Sequence, residues 1–120
     1  MSATNGTSEP LRVLVIDDDK ALAETIAESL ERRGHACTVC TGGKSGAAKL
    51  EEQDFDVVLT DLKMADLGGL EVVKRSRQVR PDAEVFVITG FGDVKTAVEA
   101  MKLGASKLPI RTRFIQRIAD

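Results

Sequence analysis

The sequence predicts an α/β fold, a doubly wound parallel sheet with helices on both faces, and three observations lead there. Short runs rich in Val, Ile and Leu alternate with longer segments whose apolar residues recur three and four positions apart, the periods of strand and helix. The alternation repeats as five β-α units from Leu11 onward, which implies parallel strands joined by right-handed crossovers. A chain of 120 residues is also enough for one domain with a single core and no metal or disulfide staple.

Residues 1 to 10 are small and polar and end at Pro10, so they are predicted to form a disordered tail, with the domain spanning 11 to 120. The first strand is expected at Arg12 to Ile16. A helix follows in which Leu22, Ile26 and Leu30 form one stripe, ending at Gly34. The second strand is His35 to Cys40, and after Thr41-Gly42-Gly43 comes a short helix ending near Glu52. Phe55 to Thr60 is apolar enough for a strand buried on both faces. Residues 61 to 69 read as a loop, Gly69 to Gln78 as a helix closed by Pro81, and Glu84 to Ile88 as the fourth strand. Asp93 is the expected N-cap of a helix carrying Val94, Ala97, Val98 and Met101, with Gly104 as its left-handed terminator. The segment 105 to 120 holds a brief strand and a short helix with Phe114, Ile115 and Ile118.

Composition excludes several classes of function. Charged residues are 30% of the chain but the net charge is only -2, so no overall basic field exists to hold nucleic acid or an anionic membrane. The longest apolar runs, Val13 to Ile16 and Val85 to Ile88, fall far short of the ~20 residues of a membrane span. The opening residues lack the basic and apolar regions of a signal peptide, and with two cysteines the expectation is a cytoplasmic protein with reduced thiols.

Ligands of open α/β sheets bind beyond the carboxyl ends of the strands. There the first strand ends in Asp17-Asp18-Asp19, the third in Thr60-Asp61 and the fourth in Thr89-Gly90. Carboxylates a few ångströms apart repel by ~4 kcal/mol per pair at 4 Å in an effective dielectric of 20, unless one is protonated or a cation intervenes. Oxygen-only donors favour a hard divalent cation such as Mg²⁺. An Asp carboxylate can attack phosphorus to give an acyl phosphate, and Asp61, alone at the end of the central strand, is the best nucleophile candidate. Thr89 could donate its hydroxyl to the phosphoryl group. The competing reading is that Asp17 to Asp19 cap the first helix, which leaves Asp61 and Thr89 unexplained.

Three segments, Val-Leu-Val-Ile-Asp-Asp-Asp at 13 to 19, Asp-Val-Val-Leu-Thr-Asp-Leu-Lys-Met at 56 to 64 and Val-Ile-Thr-Gly at 87 to 90, resemble the CheY-like response-regulator receivers of two-component systems. The stretch from Thr89 to Ala105 looks especially like receivers attached to enhancer-binding transcription activators. The resemblance implies a flavodoxin-like (βα)5 sheet in the order 2-1-3-4-5. It implies Mg²⁺-dependent phosphorylation of Asp61 by a sensor histidine kinase or phosphotransfer protein. Catalysis would be limited to the domain's own phosphorylation and dephosphorylation. Asp18 would bind Mg²⁺ directly with Asp61 and the Lys63 backbone carbonyl, Asp17 would act through water, and Thr89 would be the switch residue.

Two departures stand out. The family's Met-Pro-x-x-Asp-Gly loop is replaced by Met64-Ala65-Asp66-Leu67-Gly68-Gly69, and loss of the proline predicts a more mobile loop. The Lys-Pro segment is altered as well: without a gap Arg111 takes the Lys position, and with a deletion Lys107 is the nearest ammonium. Both assignments stay open, and Arg is not a geometric equivalent of Lys beside a phosphoryl oxygen. The altered segment also leaves room for a receiver-like interaction module that works without phosphorylation.

Gly43-Lys44-Ser45 after a strand, with Asp61 ending another, suggests a P-loop nucleotidase, but Thr38 stands where that motif needs its first Gly. Cys37 and Cys40 have CxxC spacing, yet on a strand residues three apart face opposite ways, which favours core packing over redox or zinc chemistry. His35, the only histidine, reads as a strand-start residue. Lys102, Lys107, Arg111, Arg113 and Arg117 make the end of the chain basic, a solvated face or one that serves a homodimer or an acidic partner.

Overall fold

In the computed structural model the described residues are 10 to 88, 102 to 104 and, as backbone, 106 to 108. The elements run β1 (Arg12–Ile16), α1 (Lys20–Glu31), β2 (Ala36–Cys40), α2 (Gly43–Glu52), β3 (Val57–Asp61), α3 (Gly69–Val79), β4 (Glu84–Ile88) and β5 (Ser106–Leu108). All strand pairs are parallel and the order is β2-β1-β3-β4-β5, as the resemblance implies. The N-terminal tail, the helix capped at Asp93 and the final helix lie outside the described residues.

Strand alternation divides the core between the two faces of the sheet. Leu14, Ile16, Val58, Val85 and Val87 pack with Leu50 of α2 and with Val72 and Val73 of α3. Val13, Val15, Leu59 and Ile88 face the other way onto Ala23, Ile26 and Leu30 of α1. The stripe read from the sequence is therefore the buried side of α1. That helix is started by Asp19, whose side chain accepts from the Leu22 amide at 3.1 Å, and it is released at Gly34, with φ +92°. Gly104 has φ +108°, matching its expected left-handed role.

Two strands differ in their bounds from those expected, and α3 runs one residue further, to Val79. The third strand begins at Val57 and takes in Asp61, whereas Phe55 is buried but precedes the ladder. The second begins one residue late because the His35 amide is spent on the end of α1, donating to the Leu30 carbonyl at 3.2 Å, while the imidazole Nδ1 accepts from the Leu11 amide at 3.1 Å. No helix among the described residues is long and apolar enough to cross a membrane.

Candidate functional site

Register builds the site before any side chain is considered. Ile16 is paired with Thr60, so the next residue on each central strand, Asp17 and Asp61, comes to the same level at the carboxyl edge. Asp61 is still in the ladder, opposite Ile88 of β4, and Asp17 continues the β2 pairing by donating its amide to the Cys40 carbonyl at 3.1 Å. Adjacent strands lie about 4.8 Å apart, so the two carboxylates are neighbours by construction. Carboxylate oxygens of Asp17, Asp18 and Asp61 all lie within 4.8 Å of one another; Asp17 and Asp61 are buried and Asp18 is exposed.

The run of three aspartates divides its labour. Asp19 caps α1, so the capping reading holds for that residue. Asp17 Oδ1 accepts from the Asp19 amide at 2.9 Å, which fixes the turn between strand and helix. Asp18 and Asp17 are left to converge on Asp61, whose Oδ1 accepts from the Leu62 amide at 2.8 Å. Three carboxylates in one small volume fit a hard divalent cation, which takes oxygen donors only. The side-chain geometry therefore admits Mg²⁺ or Ca²⁺ and disfavours a soft metal.

Lys63 follows two residues after Asp61 and is exposed. Thr89 and Arg111 lie outside the described residues. Lys107 is on β5, its backbone opposite Val87, which itself pairs with Thr60; its register is one level below Asp61. Cys37 and Cys40 serve opposite faces of the sheet, as their spacing predicts, and both are free thiols. A groove of about 360 Å³ lined by Arg12, Asp54, Asp56, Arg80 and Asp82 opens at the amino ends of the strands, away from the carboxylates. Its guanidinium groups are engaged with its own acids, Arg12 with Asp56 at 3.2 Å and Arg80 with Asp54 at 2.8 Å.

One residue escaped the sequence reading. Asp66, in the loop after β3, accepts from the Gly43 amide at 2.9 Å and the Lys44 amide at 3.2 Å, the first amides of α2. Its carboxyl is held below the ordinary range by hydrogen bonds, first that of the Leu67 amide and then those of Gly43 and Lys44. The loop expected to be loosened by the missing proline is thus tied across to α2. The same contact disposes of the phosphate-loop suggestion, because the amides that a phosphate would need already serve the chain's own carboxylate.

A doubly wound sheet with a carboxylate cluster at the end of its central strands defines a class of phosphoryl- or metal-handling domain, and comparison with known proteins narrows the class to one family. Residues 13–108 match the response regulator receiver domain, and the chain belongs to that family. It is 36% identical over 108 residues to the photosynthetic apparatus regulatory protein RegA of Rhodobacter capsulatus, covering 90% of this chain and 55% of that protein. It is 37% identical over 93 residues to the acid tolerance regulatory protein ActR of Rhizobium meliloti, covering 78% and 48%. The chain therefore spans about half the length of these curated relatives. Among solved structures, a CheY-like receiver domain from Methanospirillum hungatei superposes with a TM-score of 0.81 at 25% identity, over 92% of this chain and 91% of that one. A response regulator from Burkholderia pseudomallei with a phosphorylated aspartic acid, calcium ion and citrate superposes at 0.78 and 30% identity, over 92% and 66%. The chain is a receiver domain of the two-component response regulators.

Proposed function

We propose that Asp61 is the phosphoacceptor of this receiver, and the observation that carries the reading is the convergence of Asp17, Asp18 and Asp61 at one strand edge. A carboxylate oxygen of Asp61 attacks phosphorus in line, the bond from phosphorus to the donor breaks, and the donor leaves with its electron pair. The donor is the phosphohistidine of a sensor kinase or of a phosphotransfer protein. The neighbour that carries a phosphorylated aspartic acid supports an acyl phosphate here.

Asp18, Asp61 and the Lys63 backbone carbonyl would hold Mg²⁺, with Asp17 contributing through water. When bound, the ion supplies positive charge to the equatorial phosphoryl oxygens. Burial of Asp17 and Asp61 lowers the local dielectric, so their mutual repulsion is strongest without a cation. Thr89 is assigned as the switch that answers the new charge, and Lys107 or Arg111 as the cation paired with it. The altered state is then read by a protein-interaction face at the last strand and helix, through a homodimer or another partner in the cytoplasm, without direct contact to nucleic acid by this domain.

Intact-protein mass after incubation with Mg²⁺ and acetyl phosphate tests the reading. One phosphate adduct on the native chain and none on Asp61→Asn is expected. No adduct on a folded native chain that binds Mg²⁺ would leave a receiver-like module acting without phosphorylation.

A further inference from the structure

The Gly42-Gly43-Lys44-Ser45 segment remains unexplained by phosphoacceptor chemistry. α2 is a poor helix by itself, with glycine at 43 and 46 and no side-chain cap from Gly42. Residues flanking α3 hold both of its ends. Arg80, just after α3, donates from Nε to the carbonyls of Leu50 at 2.9 Å and Gln53 at 3.1 Å. Asp66, just before α3, takes the amides of Gly43 and Lys44 at the other end.

The glycines serve this contact. A Cβ on Gly43 would stand 2.0 Å from the Leu67 carbonyl oxygen, and one on Gly42 would stand 2.9 Å from Asp66 Oδ2. Asp66 Oδ1 also accepts from the Leu67 amide at 2.6 Å, so one carboxylate binds its own loop and the facing helix together. The loop's base is closed separately by the Gly69 amide on the Leu62 carbonyl at 3.0 Å, beside Asp61. Lys63 lies within the arc between those two ties.

We propose that Asp66 is a positioning residue whose carboxylate latches the 62–68 loop to the first turn of α2 and thereby holds the Lys63 backbone beside the acidic cluster. The role given to Lys63 rests on the reading of the site above; the latch itself does not. A helix cap alone would stabilise α2 and leave the loop's base and the cluster unaffected. A latch makes both depend on Asp66.

The test uses the full chain and three variants, Asp66→Asn, Asp66→Ala and Asp66→Ala combined with Ala65→Pro, the proline restricting the loop without any contact to α2. Amide hydrogen exchange is measured by NMR in Mg²⁺-free buffer, and Mg²⁺ affinity by calorimetry. Asp66→Ala should speed exchange at Gly43, Lys44 and Gly69 and weaken Mg²⁺ binding by about fivefold, the equivalent of a lost cap. Asp66→Asn, which keeps one acceptor oxygen, should fall between. Adding Ala65→Pro should restore Gly69 protection and Mg²⁺ affinity while Gly43 and Lys44 still exchange fast. Faster exchange confined to Gly43 and Lys44, or no recovery on adding the proline, would overturn the proposal and leave Asp66 as a cap of α2. If the native chain binds no Mg²⁺, the metal reading of the site falls, and exchange at Gly69 still decides the latch.

Discussion

Asp17 and Asp61 stand side by side because the residues before them, Ile16 and Thr60, are paired across the two central strands. Both are buried, so without a cation the domain carries a repulsion that folding must overcome. Asp61→Asn removes one charge while its amide oxygen can still accept from the Leu62 amide. In Mg²⁺-free buffer this variant should melt higher than the native chain, by about 4 °C if roughly 1 kcal/mol of repulsion is relieved. Mg²⁺ should raise the melting temperature of the native chain and shift that of the variant much less, since a ligand of the folded state stabilises in proportion to its occupancy. A lower melting temperature without Mg²⁺ and an equal response to it would remove the electrostatic account.

Two glycines separate close approach from backbone conformation. A Cβ on Gly69 would lie 2.2 Å from the Asp61 carbonyl oxygen and 2.7 Å from the Leu62 Cα, both backbone atoms that cannot step aside. Gly69→Ala should cost about 1 to 3 kcal/mol and also displace the end of β3, lowering the yield of phosphorylated protein. Around Gly34 a Cβ meets nothing within 4 Å, so Gly34→Ala should cost only the strain of its φ of +92°, about 1 kcal/mol, with phosphorylation intact. Urea midpoints and phosphate incorporation measured on both variants check the contrast, and equal loss of incorporation would contradict it.

The parts legible in the sequence were those that hydrophobic periodicity encodes. Arg12–Ile16 and Glu84–Ile88 form strands with the boundaries read from their apolar runs. Periodicity reports apolarity and not ladder bonding, which is why the apolar run extends the expected third strand back to Phe55, buried outside the sheet, and stops short of Asp61, buried within it. Residue type and spacing alone do not tell three consecutive aspartates apart, because each suits both a cap and a cation, and only the family resemblance singles out Asp17 and Asp18; the turn geometry selects Asp19 for the cap. Asp66 was missed because its partners are Gly43 and Lys44, more than twenty positions away, and no local pattern registers such a tie. An uncapped Gly-Gly helix start was the only available hint that a cap had to come from elsewhere.

At the opposite end of the sheet, Arg12 closes a fork on Asp56, Nε to Oδ2 and a terminal nitrogen to Oδ1, each at 3.2 Å, while the Arg12 amide donates at 2.8 Å. The Arg12 side-chain hydrogen bonds, followed by its amide, hold the Asp56 carboxyl below the ordinary range. A carboxyl depressed in the folded state contributes stability that is present above its unfolded value of about 3.9 and is lost as pH falls through the folded value. Stability should therefore decline in acid below about pH 4, with the amide-held Asp66 adding in the same direction. Asp56→Asn should lower stability near neutrality and converge with the native chain in acid. The Asp56 side chain is 37% exposed, so solvent screening limits the difference to about 0.5 kcal/mol. Urea midpoints taken between about pH 3 and 6 measure it, and parallel curves over that range would exclude the linkage.

Cys37 and Cys40 offer the last check, because their spacing imitates a redox motif that the fold does not permit. Cys40 packs with Leu14 and Ile16 on the α2 and α3 side, and Cys37 packs with Val13 and Val15 on the α1 side. A disulfide between them would require the strand to abandon its pairing with β1. Burial, with a smaller contribution from Glu31, pushes the Cys37 thiol up to about 11. At pH 8 its thiolate fraction is then roughly a thousandth, against about a quarter for an ordinary thiol, so the native chain should alkylate ~200-fold more slowly than the urea-unfolded chain. Burial raises the Cys40 thiol as well, so neither cysteine supplies an activated nucleophile. Mass spectrometry after iodoacetamide, and separately after a mild oxidant, should find two unmodified thiols in the native protein. Rapid single alkylation, or loss of two hydrogens under the oxidant with the fold retained, would show that β2 opens from the sheet more readily than its pairing indicates.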